Sequence, residues 1–263
     1  MKELIKLASG KLSHFPEASV EMGLELTGRH CRSLAVASVE SFDRVVLSVL
    51  GDLMGGQGDS YRLTSGEAYH LFMLAKIYSF GPTLKTQIRC RRTLSPSGGT
   101  VQECGGLTEV AFSLLESDID YCPHDYEIPS VTINLGGRDI ECLVRPPSMA
   151  QELGLISYFQ EKGIGRATIL SGENRELAMD WANHRMALYL HEKKTGNAFH
   201  EHSLREEVVK AFDNNPARLL GSIVGIIQEQ EGFGVSHKRL KTTCKECGGD
   251  LTFRLSLPAG LPL

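Results

Sequence analysis

Cys244-Lys245-Glu246-Cys247-Gly248-Gly249 is the stretch of this chain whose residue types and spacing carry chemistry. Two residues between cysteines let both sulfurs reach one ion. The glycines that follow permit a tight turn whose amides point back at sulfur and stabilise its charge. The stretch has a counterpart upstream. Phe80-Gly81 is followed by Lys85 and Cys90, as Phe233-Gly234 is followed by Lys238 and Cys244. Cys104-Gly105-Gly106 answers Cys247-Gly248-Gly249. We read the two as a degenerate internal duplication in which each half donates two thiolates to one metal. Structural zinc takes four ligands, so the expected set is Cys90, Cys104, Cys244 and Cys247. The upstream spacing is not that of a standard knuckle. Position 93 is threonine, and thirteen residues lie between Cys90 and Cys104. The upstream half is therefore degraded or carries an inserted loop, and His237 is the alternative to Cys104 as a ligand.

Two rival chemistries use the same residue types. A redox dithiol sits at a helix N-terminus, where the dipole depresses the thiol pKa. Here Lys241-Thr242-Thr243 before the motif and Leu251 to Leu255 after it read as strands, which favours a zinc knuckle over a redox pair. A second metal site could draw on His184 and His191, seven apart on one helix face, with His200 and His202 following. No acidic partner stands at a diagnostic spacing, and His191-Glu192 continues as Lys193-Lys194-Thr195 rather than toward a second ligand. The glycines of Gly163 to Ser171 and of Gly55-Gly56-Gln57-Gly58 come without a phosphate-loop lysine and read as turns. No nucleophile elbow, paired-carboxylate signature or kinase motif set is present.

The chain has 263 residues and seven cysteines, with a formal net charge of −4. That length supports one large domain or two modest ones, each able to bury a core. The charge shows no basic surplus of the kind that nucleic-acid binding uses. Lys2, Glu3 and Lys6 make the N-terminal stretch too polar for a signal peptide or membrane span, so the expectation is a protein made in the cytoplasm with no membrane partner. Without a secretion signal, an odd number of cysteines favours metal ligands and buried thiols over a disulfide framework. Cys31, Cys122 and Cys142, which lack a CxxC neighbour, read as small core hydrophobes.

Around these residues the pattern alternates between helix and strand. Residues 1–17 are weakly patterned and read as a loosely held N-terminal arm. Val20 to Leu26 alternates as a strand, Thr27-Gly28-Arg29 turns the chain, and Cys31 to Ala37 returns as a second strand. Apolar residues at 42, 45, 46, 49, 50 and 53 predict a helix from Ser41 to a stop at Gly55-Gly56. Gln57 to Arg62 reads as loop. Thr64-Ser65-Gly66-Glu67 is a capping box opening a helix to about Tyr78. Residues 132–135 and 139–145 form a hairpin about Gly136-Gly137. Ser148 starts a helix to about residue 162, and Ser171 starts the longest helix, running to Lys194. Further helices follow over Ser203 to Phe212 and from Pro216. The order implies an α+β fold, with helices on small antiparallel sheets near a metal knot formed by two sequence-distant segments. The domain expectation is an arm at 1–17, an N-terminal half at 18–146 and a helical half at 147–263.

Taken together, Leu63-Thr64-Ser65-Gly66-Glu67, a helix, Ser79-Phe80-Gly81 and a strand into Cys90 resemble the baseplate hub family of contractile-tailed bacteriophages. So does the ending, Phe233-Gly234-Val235 followed by a strand, CxxCGG and a short apolar tail. The similarity runs from about residue 20 to the end, and the ending is its most distinctive part. It departs from the family pattern upstream, where only Cys90 of an expected CxxC is in place. The resemblance implies a structural or assembly role in the tail baseplate hub, without substrate turnover. It further implies a structural zinc, other tail and baseplate subunits as partners, and a place in the virion after synthesis in the host cytoplasm. Lys85, Arg89, Arg91, Arg92, Lys238, Arg239 and Lys241 would then flank the knot as partner-binding charges. The rival functions are a zinc-ribbon nucleic-acid-binding protein, which those basic runs favour, and a metal-dependent hydrolase built on the histidines.

Overall fold

The structure, a computed structural model, describes residues 2–38, 40–94, 102–113, 119–171, 174–195, 199, 202–235 and 239–254. It is a mixed α+β fold of helices and small antiparallel sheets. The chain opens with strand β1 (Lys2–Lys6) paired antiparallel to β2 (Ser19–Gly23), Lys2 opposite Gly23. Leu7 and Leu12 beside this pair are fully buried. The N-terminal stretch is therefore not loosely held: its few apolar residues are anchored in the core, which a weak pattern does not reveal. The second expected strand, Cys31 to Ala37, does not form: Cys31 to Ala35 belong instead to helix α1 (Gly28–Ala35). Thr27 caps it and His30 reaches back to the Thr27 amide, a histidine version of the capping box.

Helix α2 (Phe42–Met54) follows the expected apolar spacing and ends where Gly55 turns left-handed at φ 84°. After the short helix α3 (Gln57–Ser60), in the stretch expected as loop, Thr64 and Glu67 cap each other's amides to open α4 (Ser65–Phe80). Val46, Leu47, Leu50, Leu71, Phe72 and Ala75 on these two helices meet Leu7, Val20 and Met22 in the first core.

Five strands follow before the hairpin about Gly136-Gly137. They are β3 (Thr83–Arg89), β4 (Thr93–Leu94), β5 (Gln102–Glu103), β6 (Leu107–Ser113) and β7 (Ile119–Asp120). β3 pairs with β6, and β4 with β5 inside that pair. The expected hairpin about Gly136-Gly137 is β8 (Ser130–Leu135) and β9 (Arg138–Val144), both glycines having positive φ.

Helix α5 (Met149–Glu161) opens at a Ser148–Gln151 capping box. Its Met149, Leu153 and Ile156 enter the first core, on the other side of Pro146-Pro147 from the rest of that core. Leu155, Tyr158 and Phe159 face a separate cluster. The stretch expected as turn and then one long helix divides into three. Helix α6 (Arg166–Ser171) comes first. Helix α7 (Arg175–Leu188) is capped by Asn174 rather than Ser171, and β10 (Leu190–Glu192) adds to β9. Helical spacing continues past Leu188, but the unpaired edge of β9 accepts these residues as a strand, and sheet pairing overrides local pattern. Helix α8 (His202–Phe212) and helix α9 (Ala217–Glu231), which starts after Pro216, cover this sheet. Ile133, Val144, Leu190, Val208, Phe212 and Ile223 make the second core.

The chain ends in β11 (Gly234–Val235), which pairs with β7, and in the hairpin of β12 (Arg239–Thr243) with β13 (Asp250–Arg254). Leu255 and Leu257 of the expected apolar tail, and His237 and Lys238, lie outside the described residues. Among the described residues no helix is long and apolar enough to cross a membrane.

Candidate metal centre

Two antiparallel hairpins bring the cysteines together. In the first, Arg89 pairs with Leu107, so Cys90 leaves one strand where Gly106 enters the next. In the second, Thr243 pairs with Asp250, so Cys244 and Gly249 hold the same places. The backbone repeats the correspondence. The Cys90 amide donates to the Gly106 carbonyl at 2.8 Å, and the Gly105 amide to the Cys90 carbonyl at 3.0 Å. The Cys244 amide donates to the Gly249 carbonyl at 2.8 Å, and the Gly248 amide to the Cys244 carbonyl at 3.0 Å. Gly105 and Gly248 both turn left-handed, at φ 68° and 65°, a conformation that glycine adopts without strain.

The two knuckles differ by an insertion. β4 and β5 run out and back between Cys90 and Cys104, and the Cys104 amide closes the excursion on the Arg92 carbonyl at 2.8 Å. The long upstream spacing is thus an inserted hairpin, and the turn geometry at its base is kept.

The four sulfurs lie within 4.8 Å of one another. Cys90 Sγ is 3.8 Å from Cys247 Sγ, and Cys104 Sγ is 3.8 Å from Cys244 Sγ. A tetrahedral ion with metal–sulfur bonds of about 2.3 Å has sulfur–sulfur edges of about 3.8 Å. The set can therefore hold a metal ion, and its spacing suits zinc. Among the described residues no other group of three or more histidine, cysteine or acidic side chains is arranged in this way.

Amides supply the surrounding shell. Those of Cys247 and Glu246 aim at Cys244 Sγ and hold its thiol down at about 6. The Gly106 amide pulls Cys104 down, but burial and the neighbouring thiols together push it up to about 12. The Arg92 amide acts on Cys90 in the same sense and is likewise outweighed, by burial and by the Cys247 and Cys244 sulfurs. One thiolate is favoured by the backbone, and further thiolates beside it repel. A divalent cation reverses that repulsion and lets all four ionise.

The knuckles also lock each other. A Cβ on Gly249 would meet the Arg92 side chain at 2.5 Å, and one on Gly106 would meet the Glu246 carboxyl carbon at 2.9 Å. Arg92 and Glu246 each stand two residues after the first cysteine of their half, and each lies on the last glycine of the other half. The Lys245 amide donates to Thr108 Oγ1 at 3.2 Å and adds one more bond across the seam. Sequence reasoning did not find these contacts. The signal for them was the second glycine of each Cys-Gly-Gly step.

The ribbon has little core of its own. Cys90, Cys244 and Leu251 are the buried residues of its hydrophobic cluster, with Ile88, Cys104 and Cys247 half-buried around them. Arg91, Arg92, Lys241 and Lys245 are exposed on its surface, interspersed with exposed Glu103, Glu109, Glu246 and Asp250. The side chains of Lys85, Lys238 and Arg239 lie outside the described set.

The histidines are not gathered into a site. His184 is on α7, where Nδ1 accepts from Arg205 Nε at 3.1 Å and the ring packs against Tyr158 and Phe159. Burial holds its pKa below the usual value. His191 is on β10, not on the same helix face, and its ring lies 6.4 Å from that of His14. His200 and the His202 side chain lie outside the described residues. Of the lone cysteines, Cys122 and Cys142 are buried and Cys31 is half-buried. Compared with family models, with curated proteins and with solved structures, the chain matches none of them.

Proposed function

We propose that the chain is a structural or assembly protein of a bacteriophage tail baseplate hub, stabilised by one structural zinc on Cys90, Cys104, Cys244 and Cys247. The observation that carries the structural role is the clasp itself. Four thiols from segments 140 or more positions apart meet at tetrahedral spacing, in a ribbon with too small a core to hold itself together. Four protein ligands complete a tetrahedron and leave no position for water or substrate, as in structural rather than catalytic zinc sites. The ion would supply folding energy and charge neutralisation. The chain's own residues position the sulfurs and screen them with amides.

The hub assignment rests on the Phe-Gly…CxxCGG ending and the Thr64 capping box, with other tail and baseplate subunits as the partners and the virion as the destination. The exposed mixed charges around the knuckles suit a protein partner better than a phosphate backbone, which draws a single-sign surface. Two measurements test the reading. Elemental analysis of purified protein is expected to give one zinc per chain. Co-expression with the tail subunits of the encoding phage is expected to give a complex with hub or wedge proteins. A chain that ignores those subunits and binds duplex DNA with a steep salt dependence overturns the hub reading.

A further inference from the structure

Each half-buried cysteine of the centre faces a buried cysteine of the other half. Cys104 and Cys247 are half-buried, while Cys90 and Cys244 are buried. Cys104 Sγ lies 3.8 Å from Cys244 Sγ, and Cys247 Sγ lies 3.8 Å from Cys90 Sγ. We propose that hydrogen peroxide converts this metal clasp into a covalent one, forming the disulfides Cys104–Cys244 and Cys90–Cys247 and releasing the ion. The proposal rests on the reading of the four cysteines as a metal centre and says what becomes of them under an oxidant.

The cysteine less buried in each pair reacts first. The Cys104 or Cys247 thiolate attacks one peroxide oxygen, the O–O bond breaks, hydroxide leaves and the sulfur becomes a sulfenic acid. The buried thiolate opposite then attacks that sulfur. The S–S bond forms and the sulfenic oxygen departs as a second hydroxide. Each disulfide consumes two thiolates and one peroxide and yields two hydroxide ions. Two disulfides use all four ligands and free one divalent cation.

The local backbone directs the pairing across the halves. Cys244 Sγ is held by the amides of Cys247 and Glu246, and the turn is closed by the Gly248 amide on the Cys244 carbonyl. A bond from Cys244 to Cys247 would draw both sulfurs into one turn and away from those amides. A bond from Cys244 to Cys104 keeps both turns and moves side chains alone. The consequence is a clasp that survives metal loss. Residues 90 and 104 stay joined to residues 244 and 247, and the C-terminal hairpin remains on the first one.

Purified protein is titrated with hydrogen peroxide in the presence of a chromogenic zinc indicator, alkylated, digested with trypsin without reduction and mapped by mass spectrometry. Arg91 and Lys245 place the four cysteines on separate tryptic peptides, and fragmentation of the peptide 93–138 tells Cys104 from Cys122, so every pairing is distinguishable. The expected result is two cross-half linkages, one zinc released for each two disulfides formed, and oxidised protein whose melting no longer responds to chelator. With Cys247→Ser the map shows Cys104–Cys244 alone and an alkylated Cys90. Linkages Cys244–Cys247 and Cys90–Cys104, or sulfinic acids without disulfides, overturn the proposal. Protein that carries no metal as purified overturns the reading of the centre instead, and the same map on that protein still decides the pairing.

Discussion

Arg92 lies across Gly249, so close that a Cβ there would stand 2.5 Å from its guanidinium. Glu246 lies across Gly106 in the reciprocal arrangement. The two residues hold equivalent places in the two halves of the duplication, so the ribbon has an approximate two-fold relation that the 11-residue difference in cysteine spacing (13 − 2 intervening residues) conceals. A metal held by the four thiols would join the halves at the sulfurs, and these side chains join them one layer out.

The four cysteines separate cleanly from the other three. Cys104→Ser and Cys247→Ser each remove a proposed ligand and are expected to abolish stoichiometric zinc, read by elemental analysis. Cys142→Ser, buried in the second core and away from the knot, is expected to keep one zinc per chain. It should lose stability instead, by about 1–3 kcal/mol, because a hydroxyl then sits where burial already drives the thiol pKa up to about 12. Equal zinc loss in all three variants would remove the site from the ribbon.

Two glycines on helices give opposite signs for the same substitution. Gly154 in α5 has open space where an alanine methyl would stand, with nothing within 4 Å, so Gly154→Ala is expected to raise stability by about 0.5–1 kcal/mol through helix propensity. Gly66 in α4 lies under the Phe233 carbonyl, which a Cβ would approach to 2.9 Å. Backbone there cannot rotate aside, so Gly66→Ala is expected to lower stability by about 1–3 kcal/mol despite the better helix former. Urea denaturation of both variants checks the pair, and a stabilised Gly66→Ala protein would mean that β11 is not held against α4.

His70 makes the protein acid-sensitive. Its ring is 1% exposed, neither nitrogen has a hydrogen-bond partner among the described residues, and Tyr121 stands edge-on to it. Burial pushes its pKa down to about 4. The unfolded chain, with an ordinary histidine, takes the proton at higher pH than the folded one. Stability is thus complete above about pH 6.5 and declines as pH falls toward 4, by about 2–3 kcal/mol for this group at pH 4.5. His70→Leu is expected to flatten that part of the profile. Denaturation midpoints of wild type and variant at pH 7 and pH 4.5 give the difference, and an unchanged slope would exclude His70 as its source.

Arg185 ties three helices together. It bonds Glu231 at 2.6 Å and Glu152 at 3.4 Å, and the buried Tyr189 hydroxyl donates to the same Glu231 at 2.9 Å. Arg185→Met leaves two carboxylates facing each other without a cation, and burial already raises the pKa of Glu152. The expected loss is about 1–3 kcal/mol at pH 7, smaller than for a dry ion pair because Arg185 is about one-third exposed. Adding Glu152→Gln is expected to recover part of the loss. A double variant no better than the single one would show that Arg185 acts by packing alone.

The sequence by itself determined the helices whose ends are written in local chemistry. Thr64 with Glu67, Ser148 with Gln151, and Gly55 after Met54 fix termini through a side chain or a positive φ that acts within four residues. The Gly136-Gly137 hairpin is of the same kind. It also determined the four cysteines, because a CxxCGG step and its upstream echo are local patterns repeated. Only the tertiary structure decided what depends on a distant partner. Cys31 to Ala35 became helix because β2 takes β1 as its neighbour and leaves that stretch to its Thr27 cap. Leu190 to Glu192 became strand because β9 offers an open edge. The insertion in the first knuckle, the 3.8 Å approach of Cys104 to Cys244 and the crossing of Arg92 over Gly249 are likewise properties of two segments meeting. A cap or a turn acts within a few residues of the chain, whereas these pairings join separate segments, in the metal centre segments 140 or more positions apart, so nothing in either segment alone records them.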